Sequence, residues 1–517
     1  MNQLFLRKSV QDCEDDIAER GGLKRTLTKW HLTALGVGAT IGAGIFATTG
    51  TAIVGDPLRP GAGPAIVLSF LLTAVACGFA ALCYAEFAAM VPISGSAYTY
   101  AYASLGEFVA WIIGWDLIVE YAVGNIGVAI GWSGHFRELL SHFGLSLPAW
   151  LATDYRSAAM AGEAVAGGAT DALNTYLATA ASTAPSPFGF PLIVNLPAML
   201  VVLAITVILV IGIKESANSN NAMVILKIAI ILFFIAVGIF LIKPGNWSNP
   251  ELGGFAPNGF KGISAAAAII FFSYIGFDAV STAAEEAKSP AKDMPFGIIM
   301  SLVICTVLYI ALSLVMTGMA PWTKLGTAEP MITALSFADG PPRLLTASRF
   351  IIALGAVIAM GSVLLVFQLG QPRIFFSMAR DGLLPKFFTR VHPKYKTPWI
   401  GTVLTGIFVA GFAGFANIAE VVDLTNIGTL FAFVLVSLGV IVLRRTDPAR
   451  VRPFRVPWVP ITPLISIFAC IYLMIQLPKL TWIRFGIWLA IGLVIYFLYG
   501  IRNSRLRKLR GSGATGA

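Results

Sequence analysis

Three ionisable side chains stand inside long apolar stretches of this sequence, where an unpaired charge is costly. Lys227 lies within NAMVILKIAI, Glu120 follows WIIGWDLIV, and Asp278 follows FFSYIGF. Ionisable residues at such positions typically mark the path of a proton or a small solute through an apolar medium. These three residues therefore indicate where binding or proton transfer takes place.

Lys227 has two interpretations. It lies about six residues, or roughly 9 Å along a helix, from the polar end of its apolar stretch. Its aliphatic stem could therefore reach water and keep the ammonium group there. Alternatively, the ammonium group faces the protein interior, where burial makes the loss of its proton easier and suits it to carry protons.

The carboxyl groups also have structural alternatives. Glu120 either forms a hydrogen bond to a neighbouring helix or contributes charge to a binding pocket. Asp278 either caps and orients the helix that follows Gly276 or takes part in binding. Glu86 and Glu285 lie near the ends of their apolar stretches, which favours a role in polar networks at an inner gate over contact with a substrate.

Two glycine-containing interruptions accompany these charges. The stretch GVGATIGAGIF (residues 36–46) has four glycines, each of which costs a helix about 1 kcal/mol relative to alanine. The stretch FFSYIGFD (residues 271–278) contains Gly276. Glycines also permit close helix packing. However, unwound backbone within a membrane must be buried in protein or line a cavity, and paired interruptions in two halves of a chain indicate a transporter's binding site.

The chemistry of such a site follows from the ends of the interrupted helices. Free N–H groups at the start of a half-helix carry partial positive charge and bind a carboxylate. Free carbonyl groups at the end of a half-helix accept hydrogen bonds from an ammonium group. An α-amino acid carries both groups, so paired interruptions predict an amino acid as the ligand.

Membrane-spanning helices must position these residues. Hydrophobic residues make up 57% of the chain and charged residues 12%, and the mean hydropathy is +0.80. Soluble proteins carry about twice that charged fraction. Long apolar runs separated by short polar connectors predict an all-α integral membrane protein with about 12 transmembrane helices. The predicted spans are residues 31–54, 63–91, 106–134, 190–213, 222–243, 262–285, 296–319, 348–377, 399–415, 422–443, 462–478 and 482–500.

The lysines and arginines predict the orientation. They concentrate in the N-terminal tail and in alternate connectors, which the positive-inside rule places in the cytoplasm together with both termini. The predicted parts are a cytoplasmic tail (1–30), a first five-helix repeat (31–243), a second repeat (262–443), two peripheral helices (462–500) and a C-terminal cytoplasmic tail (501–517). Within the first repeat, residues 136–189 are expected to form a loosely packed external excursion.

Other classes of protein are disfavoured. The net charge is +10, but the basic residues follow the connectors instead of one face with interleaved aromatics, which argues against nucleic-acid binding. The five cysteines show no CxxC spacing and no Cys/His cluster, so neither a metal site nor a disulfide framework is expected. No phosphate loop, nucleophile–base pair or repeated pore filter is present, which argues against an enzyme, a cofactor and a channel.

Several motifs together resemble the amino acid–polyamine–organocation superfamily and, within it, the cationic amino acid transporter branch. The resemblance covers nearly the whole chain except residues 145–189. The motifs are GLKRTL (22–27), IGAGIF (41–46), YAEF (84–87), PISGSAYTY (92–100), GWDLIVEY (114–121), FSYIGFDAVSTAAEE (272–286) and MARDGLLP (378–385). The resemblance implies a five-plus-five inverted repeat (the LeuT-like fold) with two peripheral helices, in which helices 1 and 6 are broken.

The resemblance also implies a set of site residues. Backbone N–H groups near the first break would hold the substrate carboxylate; they belong to Ile41, Gly42, Ala43, Gly44 and Ile45. Carbonyls near the second break would hold the amino group; they belong to Phe272, Ser273 and Ile275. Phe272 would also act as an aromatic gate and Phe367 as the floor of the side-chain pocket. Lys227 would occupy the place of a sodium ion in related transporters and contact carbonyls near Gly42 and the hydroxyl of Ser362. Ala43 departs from the threonine of many members, so one hydroxyl contact to the carboxylate is missing.

The expected function is secondary active transport of L-amino acids across the bacterial inner membrane by alternating access, coupled to protons. The partners would be an amino acid, protons and the lipid bilayer, with no nucleic acid. Exchange of amino acids or polyamines is the main alternative, and an amino acid sensor on the same scaffold is another. The residues leave the substrate side chain open between small neutral and cationic.

Overall fold

The computed structural model of the chain describes residues 6–8, 25–90, 96–167, 172–187, 189–212 and 217–508. These residues are almost entirely helical. The α-helices are α1 (Lys29–Thr40), α2 (Thr49–Val54), α3 (Ile66–Met90), α4 (Ser96–Ser104), α5 (Glu107–Ile118), α6 (Gly124–Ser141), α7 (Tyr155–Ala166), α8 (Ala172–Thr183), α9 (Leu196–Ile211), α10 (Ala217–Ile239), α11 (Gly245–Ser248), α12 (Gly259–Ile270), α13 (Pro290–Met319), α14 (Pro330–Phe337), α15 (Pro342–Arg380), α16 (Trp399–Phe415), α17 (Ile418–Thr446), α18 (Ile461–Ile475), α19 (Lys479–Ile495) and α20 (Ile501–Asn503).

Tighter and wider turns join or interrupt these helices. Strands β1 (Gly55–Asp56) and β2 (Arg59–Pro60) form a short antiparallel pair. Turns of 3₁₀-helix lie at Gly63–Ala65, Ala149–Leu151, Pro250–Leu252, Phe271–Ser273, Asp278–Glu286, Trp322–Lys324 and Lys386–Thr389. Turns of π-helix lie at Gly44–Thr48, Val119–Val123 and Tyr496–Gly500. π-Turns within helices are frequent at functional sites, and two of these three contain residues that the sequence singles out.

Nine stretches within the described residues are long and apolar enough to cross a membrane. Three shorter apolar helices, α9, α16 and α18, coincide with further predicted spans. The helices begin and end a few residues from the predicted bounds because their ends are polar or proline-marked. For example, α13 begins at Pro290 and α15 at Pro342, which suits proline because the first turn of a helix needs no N–H donor.

Two predicted spans are interrupted near their middle. In the first span, α1 ends at Thr40, the backbone at Ile41 is extended, and the chain resumes in the π-turn Gly44–Thr48 before α2. In the sixth span, α12 gives way to the 3₁₀-turn Phe271–Ser273 and then to an irregular bend with Gly276 at φ +121°. A residue with a side chain rarely adopts that φ, so glycine is required there.

The interrupted spans lie at the centre of the helix assembly. Helix α1 packs against α10 and α13, and α12 packs against α3. The π-turn after α1 contacts the 3₁₀-turn after α12, which brings the two interruptions together. Helices α6 and α15 pack closely against each other beside them. The core is therefore organised around the two breaks.

The predicted external excursion is more ordered than expected. It contains α7 and α8, which pack on each other through small residues such as Ala158 and Ala180. Arg156 forms an ion pair with Glu420, and Asn417 donates a hydrogen bond of 3.1 Å to the Ser157 hydroxyl. The segment therefore forms helices with polar contacts to the start of α17, while most of its described side chains are exposed or half-buried, and its external position stays a prediction.

The predicted terminal tails lie largely outside the described residues. Described parts of both nevertheless meet at the buried carboxylate of Glu107, at the start of α5. Its backbone N–H donates 2.9 Å to the Leu6 carbonyl, and Arg507 Nε donates 2.8 Å to its Oε1 atom. These contacts place Leu6 and Arg507 at the same end of the helix assembly.

Candidate functional site

The first break leaves backbone donors without partners. Within the described residues, the N–H groups of residues 42–45 donate to no backbone carbonyl, whereas the Ile41 N–H still donates 2.9 Å to Val37 and the Phe46 N–H donates 3.2 Å to Gly42. Two of these donors precede the π-turn Gly44–Thr48 and two belong to its first residues, and every residue of this turn is buried. Four adjacent free donors at the start of a helical segment form an anion-binding site.

The second break leaves backbone acceptors without partners. In the described part of the chain, the Phe271 carbonyl accepts a hydrogen bond of 2.9 Å from the Tyr274 N–H, and the carbonyls of residues 272–275 lie in a turn without a well-formed backbone hydrogen bond. The Ser273 hydroxyl is also fully buried and has no partner there. Buried carbonyls without donors are rare in folded proteins. Such groups accept hydrogen bonds from an ammonium ion.

The two breaks are in close backbone contact. A Cβ atom added at Gly44 would lie 2.3 Å from Ser273 Cα, and one added at Gly276 would lie 2.7 Å from the carbonyl carbon of Ala39. Only glycine permits these approaches, because both neighbours are backbone atoms that cannot rotate away. The free donors of the first break therefore lie beside the free acceptors of the second, as a ligand with adjacent carboxylate and ammonium groups requires.

Lys227 lies against the first break. It is 1% exposed, and its Nζ atom donates a hydrogen bond of 2.5 Å to the Gly38 carbonyl, on the last turn of α1. This arrangement favours the interior interpretation over a side chain that reaches water. The partner is one turn earlier than Gly42. The Ser362 hydroxyl donates 2.9 Å to the carbonyl of Ala359 on its own helix, and no hydrogen bond joins it to Lys227 among the described residues, so its expected part stays a prediction.

Glu120 lies in a separate acidic cluster near the second break. It sits in the π-turn Val119–Val123, opposite Asp278, with Asp116 one helical turn away. None of the recorded interactions with these three buried carboxyls comes from a lysine or arginine in the described residues. Two facing carboxyls cannot both be ionised cheaply, because like charges repel in a buried site.

The acidic cluster adjoins the aromatic residues of the predicted side-chain pocket along α6 and the π-turn before it. The residue after Glu120, Tyr121, meets Phe367 edge to face, with ring centroids 5.7 Å apart. Phe367 is buried, and so is Phe272 beside the second break. The contact of Glu120 with Asp278 across helices is therefore observed, and its contribution of charge to a binding pocket stays a prediction.

Several residues that complete the site were missed from the sequence. Tyr309 donates 3.1 Å to the Thr40 carbonyl, and Asn426 donates 2.8 Å to Ala268 and 3.2 Å to Ile269. These side chains satisfy the carbonyl ends of α1 and α12. Their only sequence signal is a polar group in the middle of an apolar run, and that signal does not identify a partner more than 150 residues away.

The polar residue Glu86 takes the structural role expected of it. Its carboxylate accepts hydrogen bonds of 2.9 and 2.6 Å from Arg444 and one of 2.7 Å from the Val456 N–H. These contacts tie α3 to the end of α17 and to the connector after it. The Glu285 side chain lies outside the described part of the structure.

Comparison with known proteins identifies the family. A family model described as amino acid permease matches residues 27–498. The methylthioribose transporter of Bacillus subtilis is 45% identical over 508 residues, which cover 98% of this chain and 100% of that protein. The branched-chain amino acid permease BcaP of the same organism is 45% identical over 505 residues, which cover 98% of this chain and 99% of that protein. The vacuolar cationic amino acid transporter 4 of Arabidopsis thaliana is 36% identical over 452 residues, covering 87% of this chain and 68% of that protein.

These relatives are transporters and not enzymes. Two of the three align with this chain over nearly their full length. The buried glycine breaks and the long apolar helices fit a multi-pass membrane permease. The chain belongs to the amino acid permease family of the amino acid–polyamine–organocation superfamily.

Proposed function

We propose that this permease is a secondary active transporter that carries L-amino acids across the bacterial cytoplasmic membrane together with protons. One observation carries the proposal: four free N–H groups of residues 42–45 lie beside the free carbonyls of residues 272–275. An amino acid satisfies both sets at once. Without such a ligand, buried and unpaired polar groups in this number are costly.

The fold proposal is a twelve-span chain with two five-helix inverted repeats, two peripheral helices and both termini in the cytoplasm. Nine long and three shorter apolar helices in the described residues support the count. The bias of basic residues supports the orientation. A cysteine introduced at the exposed position of Arg502 would test it, since labelling of intact cells by an impermeant thiol reagent would contradict the orientation.

The coupling proposal assigns the proton to Lys227. As an ammonium ion, this residue donates to the Gly38 carbonyl and ties α10 to the inner half of the broken first span. A neutral amine is a weaker donor, so loss of the proton loosens the contact and frees α1 to move. Alternating access in this class of fold needs such a movement of one part against the rest.

Uptake by purified protein in liposomes tests transport and coupling together. The vesicles are loaded with buffer only, and an inward proton gradient is imposed with and without an uncoupler. We expect accumulation of labelled amino acid above the external concentration that the uncoupler abolishes. Uptake that requires internal amino acid would favour exchange, and binding without uptake would favour a sensor.

The methylthioribose transporter among the relatives provides a second candidate substrate. Methylthioribose is a thioether sugar with neither a carboxylate nor an ammonium group, so it would leave the charges of the two breaks uncompensated. Competition separates the two candidates. If unlabelled methylthioribose displaces labelled leucine no better than ribose does, the amino acid proposal stands.

A further inference from the structure

The connector between α17 and α18 (residues 447–460) exposes two large apolar side chains. Val451 is 81% exposed and Trp458 is 80% exposed. The same connector carries three arginines, which are Arg450, Arg452 and Arg455. Tryptophan and basic side chains are both typical of segments at the surface of a bilayer, at the level of the lipid headgroups. The composition of the connector therefore points to a partner outside the chain.

Hydrogen bonds hold the backbone of this connector in place. The Arg452 guanidinium is buried and donates 2.8 Å to the Arg450 carbonyl and 2.7 Å to the Asp447 carbonyl. The Val456 N–H donates 2.7 Å to the Glu86 carboxylate on α3. Because the connector is ordered without a partner, binding to its exposed side costs little conformational entropy.

The side chains near these anchors alternate between two sides. Arg452 and Val456 are buried, whereas Val451 and Arg455 are exposed. Alternating burial is the pattern of an extended segment, so Val451 and Arg455 share its exposed side. The Arg455 guanidinium forms no hydrogen bond or ion pair with another residue of the described chain. The exposed side of the connector therefore presents an unpaired cation close to an apolar side chain.

The exposed side of the connector continues the apolar surface of α18. Trp458 is followed at spacings of three, four and three residues by Ile461, Ile465 and Phe468, which are 59%, 39% and 68% exposed. Residues at these spacings lie on one side of a helix, and α18 also packs against α17 and α3. In a membrane permease, an exposed apolar side of a helix contacts acyl chains. Trp458 precedes α18 and therefore lies where the acyl chains give way to headgroups.

We propose that the exposed side of this connector binds an anionic phospholipid. Val451 and Trp458 lie among the headgroups, and the Arg455 guanidinium donates to the lipid phosphate, whose oxygens match its paired N–H groups. A lipid is favoured over a protein partner because the site is continuous with the surface of α18 that contacts acyl chains. A net negative headgroup is favoured over a zwitterionic one because Arg455 has no counter-ion within the described chain.

The site can be tested with a fluorophore at Val451 and quencher lipids in the bilayer. The reporter is the full chain with Cys13→Ser and Val451→Cys, since the other four cysteines are buried. The labelled protein is reconstituted into phosphatidylcholine liposomes. These contain a small fraction of phosphatidylglycerol or phosphatidylcholine that carries a nitroxide at the same acyl position. We expect nitroxide-labelled phosphatidylglycerol to give half-maximal quenching at about a fifth of the fraction that phosphatidylcholine requires, the preference expected of one arginine at an anionic surface.

Variants assign this preference to the connector. Arg455→Ala and Arg455→Gln should both make the two quencher lipids equivalent, because the cation is lost with and without most of its stem. Arg390→Ala is the matched control, since it removes an exposed arginine from the connector after α15 whose side chain has no partner in the described chain. It should retain the fivefold preference. Soluble glycerol 3-phosphate should leave the quenching unchanged, because it carries the phosphate without the acyl chains.

Four results would overturn the inference. Equal quenching by the two lipids in the reporter would show that the site does not select anionic lipid. A preference that survives both Arg455 variants would place the lipid elsewhere. Relief of quenching by glycerol 3-phosphate would show a site for free phosphate. Absence of quenching by either lipid would place the connector outside the bilayer surface and leave its exposed side to a protein partner. Transport is not measured in this assay, so its outcome is independent of the proposed function.

Discussion

Both breaks leave backbone polar groups without partners inside the described part of the protein. The first break offers N–H donors and the second offers carbonyl acceptors. At the first break, Lys227 and Tyr309 satisfy the carbonyls of Gly38 and Thr40, and the N–H groups of residues 42–45 donate to no backbone carbonyl among the described residues. At the second, Asn426 satisfies the carbonyls of Ala268 and Ile269, and the free groups are the next carbonyls along the chain. Side chains thus form hydrogen bonds with some of the backbone carbonyls at each break. What remains free matches one end of an amino acid.

The breaks also differ in the ionisable side chains that lie beside them. A single cation supports the first break through a neutral carbonyl, whereas Glu120 and Asp278 face each other near the second. Loss of the lysine proton weakens its contact, while ionisation of both carboxyls would set two anions against each other. We therefore expect the first break to move with the proton and the second to keep its position.

The largest effect is expected at the backbone contact between the breaks. Gly44→Val places a side chain against the Ser273 backbone, where a Cβ atom would lie 2.3 Å from Cα. Because neither backbone can yield, we expect amino acid binding to disappear. Binding is measured by scintillation proximity on purified protein. Gly486→Val, in α19 with open space around it, is the control. Normal affinity in Gly44→Val would exclude the first break from the binding site.

Lys227→Ala separates binding from coupling. The variant removes the cation that holds Gly38 but leaves the free N–H groups of residues 42–45 in place. We expect proton-driven accumulation to be lost while substrate binding falls by less than about 10-fold, which corresponds to less than about 1.4 kcal/mol. Lys243→Ala removes an exposed lysine that pairs with Asp339 and should behave as wild type. Accumulation by Lys227→Ala that still follows the pH gradient contradicts the mechanism.

Asn426→Ala tests whether the second break is held by its side-chain donor. Removing the amide leaves the carbonyls of Ala268 and Ile269 unpaired in a buried site, which costs about 1–3 kcal/mol. We expect a lower Tm in detergent. Ser336→Ala, which removes an exposed hydroxyl bonded within its own helix, should leave Tm unchanged. An equal Tm for both variants would show that the amide does not stabilise the break.

The smallest effect is expected at the floor of the pocket. Phe367→Ser replaces a buried ring that lies against Tyr121 and Gly124 and opens space beyond the substrate side chain. We expect longer substrates such as arginine to begin to compete in the uptake assay, with little change for alanine. An unchanged substrate profile would assign Phe367 to packing alone.

The sequence predicted the order of the apolar helices and the positions of both breaks, because hydropathy and glycine content are local properties. It also pointed to Lys227, since a cation within an apolar run is conspicuous. It did not predict that Lys227 donates to Gly38, nor that Tyr309 and Asn426 cap the broken helices, because those contacts join residues far apart in the chain. The anchoring of α7 through Arg156 was missed for the same reason.

The role of Glu120 shows a second limit of the sequence. A buried carboxylate in an apolar run is equally conspicuous whether it faces a substrate or another helix. In the structure Glu120 lies in the π-turn at residues 119–123, opposite Asp278, while Tyr121 meets Phe367. The pattern of hydrophobic residues does not distinguish a π-turn from an ordinary α-helix. The sequence therefore left open whether Glu120 contacts another helix or contributes charge to a binding pocket.

The central claim is that one ligand with both an ammonium and a carboxylate group bridges the two breaks. The direct test is binding of three matched compounds to the purified protein: leucine, isopentylamine, which lacks the carboxylate, and 4-methylpentanoate, which lacks the amine. We predict that leucine competes with labelled substrate and that each analogue is weaker by about 100-fold or more, because a charged partner is lost at one break. Competition by either analogue at the level of leucine would contradict the claim.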